Sequence, residues 1–451
     1  MMIKRKIYNE LLEWKNISDG KTAVMLEGAR RVGKSYIAEA FAKNEYKSYI
    51  LIDFSKTNAD VKDVFVNNLE NLDDFFMYLS GYYNTKLYES DTLFIFDEVQ
   101  MFPRAREAIK HLVADRRYHY LETGSLMSIK ENVSDIVIPS EERHLNMYPI
   151  DFFEFVAALG EEPMLAWMGK CFKEDKAMGQ AMHRKAMTLF RKYMIVGGMP
   201  QAVQCYMDTN DFEEVDKVKR DILNLYRQDI VKYAGKYSVK VESIFDDIPA
   251  QLSKHETRFK LSSLGRGSRY RDYEDSFFWL NDSRVINIAY NTQEPNVGLR
   301  LNRDRVTLKC YMADTGLLIS HAFDENGLIS EEIYKKILYD KIDVNMGMLV
   351  ENVVSQMLTS SGHKLYFYSK ASKDRDKRME IDFLVSKKRI TSKHNVSPIE
   401  VKSGKNYTLT SLRKYISHFG EYTDIPYVIH QGDLKVDEGI KYLPIYMTPL
   451  I

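Results

Sequence analysis

The segment Gly28-Ala29-Arg30-Arg31-Val32-Gly33-Lys34-Ser35 lies between an apolar run and an amphipathic one. This GxxxxGK[ST] spacing suits a phosphate cradle. The glycines let the backbone curl until successive N–H groups face one centre, and a following helix adds the positive end of its dipole. Lys34 would then reach the β- and γ-phosphates of ATP, and the Ser35 hydroxyl would bind Mg²⁺. Further on, Leu93-Phe94-Ile95-Phe96-Asp97-Glu98 is an apolar strand ending in two acids. Such a strand delivers Asp97 to the magnesium shell and sets Glu98 to polarise an attacking water. The strand at 118–121 runs into Glu122-Thr123-Gly124-Ser125. Thr123 is the first candidate there to sense a γ-phosphate, with Ser125 the alternative. Arg143 reads either as a finger for a neighbouring subunit's nucleotide, which needs a homo-oligomer, or as a solvated surface arginine.

A second constellation stands near the C-terminus, Glu380-Ile381-Asp382 followed by Glu400-Val401-Lys402. An acid and then ExK, each within a strand, is the pattern of PD-(D/E)xK nucleases. Asp382 and Glu400 would hold one or two Mg²⁺ ions that polarise a phosphodiester and generate hydroxide. Lys402 shares a strand face with Glu400 by the period-two rule and could orient the water or stabilise the transition state. Glu351, on the preceding helix, is a fourth candidate. The alternatives are a sheet edge with solvated charges, or a fold that binds DNA without cutting it.

Charge supports a polyanionic partner. The chain is neutral overall, with 64 basic and 64 acidic residues, yet residues 363–414 hold fourteen Lys and Arg against five Asp and Glu. That excess marks the segment as the expected contact with a phosphate backbone. Tyr366, Phe367 and Tyr368 could stack on bases or fill a core. Lys254, Arg258, Lys260, Arg266, Arg269 and Arg271 form a second basic cluster, which serves either DNA or interdomain packing. An apolar content of 45% is enough for real cores and excludes a disordered chain. No apolar run approaches a membrane span, and the basic start lacks a signal-peptide core. Cys171, Cys205 and Cys310 have no pairing or metal spacing, so a cytoplasmic protein with free thiols is expected. The absence of an NKxD motif favours ATP over GTP.

The elements that must position these residues follow from periodicity. Strand-like 22–26, 48–54, 92–96 and 118–121 alternate with amphipathic 35–43 and 104–116, which predicts a parallel sheet covered by helices. Residues 151–235 read as helical, broken at Gly197-Gly198-Met199-Pro200. Short helices and two strands, 285–290 and 306–312, suggest a winged helix with 268–280 as its recognition helix. From 348 the order is α-β-β-β-α-β. The expectation is a multidomain α/β chain. Its parts are an ATPase core at 1–155, a helical lid at 156–240, a winged-helix-like domain at 241–322 and a restriction-endonuclease-like domain at 323–451.

These sites stand alongside further motifs. They are Met147-Tyr148-Pro149-Ile150-Asp151-Phe152-Phe153-Glu154-Phe155, Tyr193-Met194-Ile195-Val196-Gly197-Gly198-Met199-Pro200, Tyr226-Arg227-Gln228-Asp229-Ile230, Tyr311-Met312-Ala313-Asp314-Thr315-Gly316-Leu317-Leu318 and Glu351-Asn352. Together they resemble the AAA-type ATPases of bacteria and archaea that carry a C-terminal DUF4143 domain (the AAA_14/DUF4143 pairing), over essentially the whole chain. The resemblance implies an ATPase core, a lid, a winged helix and a restriction-endonuclease-like C-terminal domain. That family's arginine motif reads Gly-Arg, whereas Glu142 precedes Arg143 here. The expected activity is ATP-driven action on DNA. The alternative is a signalling or scaffold ATPase whose C-terminal domain is a silent interaction module.

Overall fold

The computed structural model describes residues 3–124, 140–254, 256, 258–324, 329–338, 346–370, 378–404 and 406–451. Ser125 therefore lies outside the described residues. The chain divides into two compact units, Met1–Tyr148 and Pro149–Ile451.

Five strands build the first unit: β1 (Ala23–Glu27), β2 (Ser48–Asp53), β3 (Thr92–Asp97), β4 (His119–Gly124) and β5 (Glu142–Asn146). They pair in the order β2-β3-β4-β1-β5, all in parallel. The pleat explains the layering, because alternate side chains go to opposite faces. Met25, Ile50, Ile52, Phe94, Phe96 and Tyr120 join the core under helices Ala59–Asn67, Leu72–Tyr82 and Pro103–Asp115. Val24, Leu26, Leu93, Ile95 and Leu121 join the opposite core, under Lys6–Ser18 and Lys34–Glu45. A one-residue slip on β3 would exchange Phe94 and Phe96 with Leu93 and Ile95 between the two cores and turn Asp97 to the other face.

The second unit begins with Asp151, which caps the helix Phe152–Ala158 in a reciprocal capping box with Glu154. Helices Glu162–Lys173, Gln180–Val196, Pro200–Thr209, Phe212–Tyr233 and Ser238–Ser253 follow. The strands are β6 (Ile286–Thr292), β7 (Arg303–Met312), β8 (Tyr366–Lys370), β9 (Met379–Ser386), β10 (Val396–Val401), β11 (Tyr427–His430), β12 (Lys435–Asp437) and β13 (Ile440–Pro444). They form one mixed sheet ordered β12-β13-β11-β10-β9-β8-β6-β7.

This sheet departs from expectation in two places. The β6–β7 hairpin, expected to close a winged helix, is the edge of the C-terminal sheet, with Tyr290 pairing Tyr366 in parallel. The segment expected as a recognition helix is a short turn at Tyr270–Asp272 and then a helix only over Glu274–Asp282. That helix opens on Glu274 and Asp275, while the basic Arg266, Arg269 and Arg271 are exposed before it. Two acids suit a helix N-terminus and exclude phosphate from it. Among the described residues no helix is long and apolar enough to cross a membrane.

Several family motifs meet in one buried knot. Asp314 caps the helix Thr315–Ala322, accepting from Leu317 N–H at 2.9 Å and from Gly198 N–H at 2.5 Å. Gln356 donates to Tyr193 Oη at 3.0 Å, and Asn352 accepts from Met312 N–H at 2.9 Å. A Cβ on Gly198 would lie 2.1 Å from the Ile150 carbonyl oxygen. These motif residues build the scaffold.

Candidate functional site

The phosphate loop leaves β1, whose five residues are all buried. A Cβ at Gly28 would lie 2.3 Å from the Met147 carbonyl oxygen, so only glycine fits. Arg31 and Gly33 take left-handed backbone (φ 67° and 97°) and turn the loop into the helix that starts at Lys34. Ala29 and Val32 are buried, Arg30 and Arg31 exposed. Lys34 Nζ donates to the carbonyls of Gly28 and Ala29 at 3.0 and 3.1 Å. Burial lowers the pKa of Lys34, against the pull of Glu98 and Asp97.

Three expected residues converge on one oxygen. Ser35 Oγ donates to Asp97 Oδ1 at 2.7 Å, and the Thr123 hydroxyl donates to the same atom. The pairing of Phe96 with Glu122 sets this up, since it puts the next residues, Asp97 and Thr123, side by side. Glu98 follows in left-handed backbone (φ 52°), unusual for a non-glycine, and its carboxylate accepts from the Gln100 amide. A hydroxyl and a carboxylate at this spacing fit a hard, oxygen-seeking cation such as Mg²⁺.

Arg143 is not brought to this loop. It sits opposite Val24 on β5, and its ion partner is Glu13 at 3.9 Å, with Glu10 nearby. The side chain of its neighbour Glu142 is buried and takes two bonds from Arg106, at 3.2 and 2.8 Å. His144 approaches Glu142 at 3.4 Å and Glu27, the last residue of β1, at 2.8 Å. Burial would raise Glu142, but the bonds from His144 and Arg106 hold it down at about 2. Burial and the neighbouring Glu142 charge push buried Glu122 well above the usual carboxylate range. Hydrogen bonds to Glu142 and Glu27 raise His144 to about 9. Sequence reasoning missed this charge group; its signal was polar residues at strand positions that the sheet must bury.

In the second unit, Glu351, Asp382, Glu400 and Lys402 line one cleft of about 310 Å³. Asp382 Oδ2 accepts from Val401 N–H at 2.8 Å, which ties β9 to β10, and Lys402 Nζ donates to Glu400 Oε1 at 2.7 Å. Three further charged residues line the cleft, Glu256, Glu380 and Lys309. Lys309 Nζ lies 3.0 Å from Glu351, 3.5 Å from Glu380 and 4.0 Å from Asp382. Tyr311, on the same face of β7, also donates its hydroxyl to Glu351. Burial pulls the Lys309 pKa down, but the three carboxylates overcome it and raise the value. Burial, with Glu400 and Glu351 alongside, drives Asp382 well up, and burial raises Glu400 against its Lys402 bond. Glu400 Oε2 is buried without a hydrogen-bond partner, an oxygen that a hard cation would suit. Among the described residues no three acidic, His or Cys side chains draw close enough to enclose an ion. Lys309 had a sequence signal that went unread, a lone charge inside the apolar strand 306–312.

Comparisons with known proteins give three family matches along the chain. The AAA domain family AAA_14 matches residues 20–156. The domains of unknown function DUF8612 and DUF4143 match 187–326 and 346–448. No curated protein matches. Similar solved structures include the Walker-type ATPase Paby2304 of Pyrococcus abyssi, at 14% identity and TM-score 0.43, covering 71% of this chain and 96% of that one. AMPPCP-bound DnaA from Aquifex aeolicus gives 13% and 0.29, covering 63% and 90%. The Aeropyrum pernix Orc1 protein in complex with DNA gives 10% and 0.28, covering 72% and 93%. Residues 20–156, which hold the P-loop and the five-stranded parallel sheet, match the AAA domain family, and residues 346–448 match DUF4143, so the chain pairs an AAA-type P-loop ATPase domain with a DUF4143 domain.

Proposed function

We propose that this chain binds and hydrolyses ATP at residues 28–35, Asp97 and Glu98, and uses that cycle to act on DNA through its C-terminal cleft. What supports the ATPase half is the shared Asp97 oxygen contacted by Ser35 and Thr123. Lys34 would bind the phosphates, Glu98 would orient the attacking water, and Thr123 would sense the γ-phosphate. Mg²⁺, held by Ser35 and Asp97, would neutralise phosphate charge. Arg143, whose partners here are acids of its own first helix, keeps a role only in trans, on a neighbouring subunit's nucleotide.

For the DNA half, the carrying observation is that Glu351, Asp382, Glu400 and Lys402 share one cleft. In a nuclease Asp382 and Glu400 would hold Mg²⁺, and Lys402 would stabilise the developing phosphorane charge. Lys309 favours a second reading, because its ammonium already stands within 4.0 Å of three of the acids, where a cation would otherwise bind. The cleft would then bind DNA without cutting, or serve as a silent protein-interaction module. ATP hydrolysis and Mg²⁺- or Mn²⁺-dependent DNA cleavage, measured side by side on wild type, Lys34→Ala and Asp382→Ala, separate these readings. Cutting lost in Asp382→Ala with ATPase kept supports the nuclease; cutting that survives Asp382→Ala removes it.

A further inference from the structure

Next to the acidic cleft, the second unit holds a cavity of about 500 Å³ that no expected site accounts for. Arg184 and Arg191 line it from the helix Gln180–Val196, with Gly404 and Tyr407 from the loop after β10 and Gln431 from the loop after β11. The two arginines are seven residues apart on one helix face, about 10 Å along its axis. Arg191 has no hydrogen bond or ion pair among the described residues, and Arg184 bonds only its own helix, at the Gln180 carbonyl, 3.4 Å. No carboxylate lines the cavity. Asp433, beyond the rim, spends its two oxygens on the Met178 and Gly179 N–H groups at 3.0 and 2.9 Å.

The wall is fixed rather than fortuitous. His183 joins the helix to the C-terminal strands, with Nδ1 2.9 Å from Tyr446 Oη and Nε2 3.1 Å from the Gln431 carbonyl oxygen. Gln431 in turn donates to the Ser403 carbonyl at 2.6 Å. Ser403 lines the acidic cleft and Gly404 lines this cavity, so one loop borders both. Unpaired guanidinium groups on a concave wall are suited to a multi-oxygen anion such as a phosphodiester, whose two non-bridging oxygens match the guanidinium fork.

We propose that this cavity is a phosphodiester subsite. Arg184 and Arg191 hold backbone phosphates of a nucleic-acid strand whose neighbouring phosphate lies in the acidic cleft. The proposal rests on the reading that the cleft acts on DNA. Continuity through Ser403-Gly404 favours a polymer over a small anion, because one strand then satisfies both the basic wall and the cleft.

The test uses the full chain and fluorescein-labelled single- and double-stranded DNA, followed by anisotropy across a NaCl series. Arg184→Gln/Arg191→Gln should weaken binding about tenfold or more and flatten the log–log salt slope by about 2, one per lost phosphate contact. Arg184→Lys/Arg191→Lys should keep most of the slope while losing part of the affinity, a pattern that mere misfolding does not produce. Because Arg184 is exposed, its single Gln variant supplies the same readout at about half the slope change. If wild type binds DNA and the double Gln variant matches it in affinity and slope, the subsite is wrong while the cleft reading stands. If wild type binds no DNA, both fall. Arginine-dependent binding of inorganic phosphate without DNA binding also overturns the proposal, leaving a small-anion site.

Discussion

Lys309 Nζ and Glu351 Oε1 meet at 3.0 Å, across 42 positions of sequence, one from the edge hairpin and the other from the helix Met346–Ser360. The contact joins a segment matched by one domain family to a segment matched by another, so the acidic cleft is a composite.

Removing the lysine should therefore cost stability. Lys309→Met leaves Glu351, Glu380 and Asp382 without their buried counter-charge, a loss of roughly 3–5 kcal/mol near pH 8. The sign with pH follows from proton uptake. Asp382 already titrates above its unfolded value in the fold and loses the one charge that holds it down, so it takes up a proton more readily folded than unfolded, and lowering the pH favours folding of the variant. Urea unfolding near pH 8 and near pH 5 should show the deficit shrinking in acid, and adding Glu351→Gln should recover part of it. A deficit independent of pH would refute the electrostatic account.

At the phosphate site, Lys34→Ala should lower ATP hydrolysis by about a hundredfold or more, since the cation on the phosphates is lost. Thr123→Val removes only one hydroxyl from Asp97, so it should depress kcat more than nucleotide affinity. Steady-state kinetics beside equilibrium binding of a non-hydrolysable analogue separates the two effects. Equal loss of binding in both variants would mean that Thr123 merely holds β3 to β4.

Gly198→Ala should destabilise the second unit by more than about 2 kcal/mol. Its Cβ would lie 2.1 Å from a backbone oxygen of Ile150, where no rotamer change can relieve the clash. Gly81 is the control, because a Cβ there meets nothing within 4 Å. Thermal denaturation of the two alanine variants should move sharply for the first and little for the second.

His144 predicts an alkaline weakness in the first unit. Its folded pKa is raised to about 9, so the stability it contributes is fully present below about 6.5 and fades as pH rises through 9. His144→Gln should be less stable than wild type near pH 6 and converge with it near pH 10. Parallel stability curves for the two proteins would show that the imidazole carries no charge in the fold.

The phosphate loop, the Asp97 strand end and the four acid and lysine positions of the C-terminal cleft were legible because each is a local pattern. A glycine-rich turn that must aim successive N–H groups at one centre, or an acid that must end a buried strand, announces itself within a few residues. The β6–β7 hairpin was equally legible as two strands, but its place was not. A hairpin joins a sheet by the partner that its free side finds, and Tyr290 of β6 finds Tyr366 far along the chain.

The sequence by itself determined a nucleotide-binding α/β core, a helical region and a second acidic constellation. Local spacing, period-two burial and glycine geometry suffice for those. Only the tertiary structure decided that Lys309 enters the acidic cleft, that Glu142 answers Arg106 while Arg143 turns to Glu13, and that Arg184 and Arg191 share a cavity with the loops after β10 and β11. The physical reason is common to all three. Ion pairs and cavities join residues by proximity in space, and the pairing of distant strands and helices that creates this proximity leaves no periodic trace in the chain.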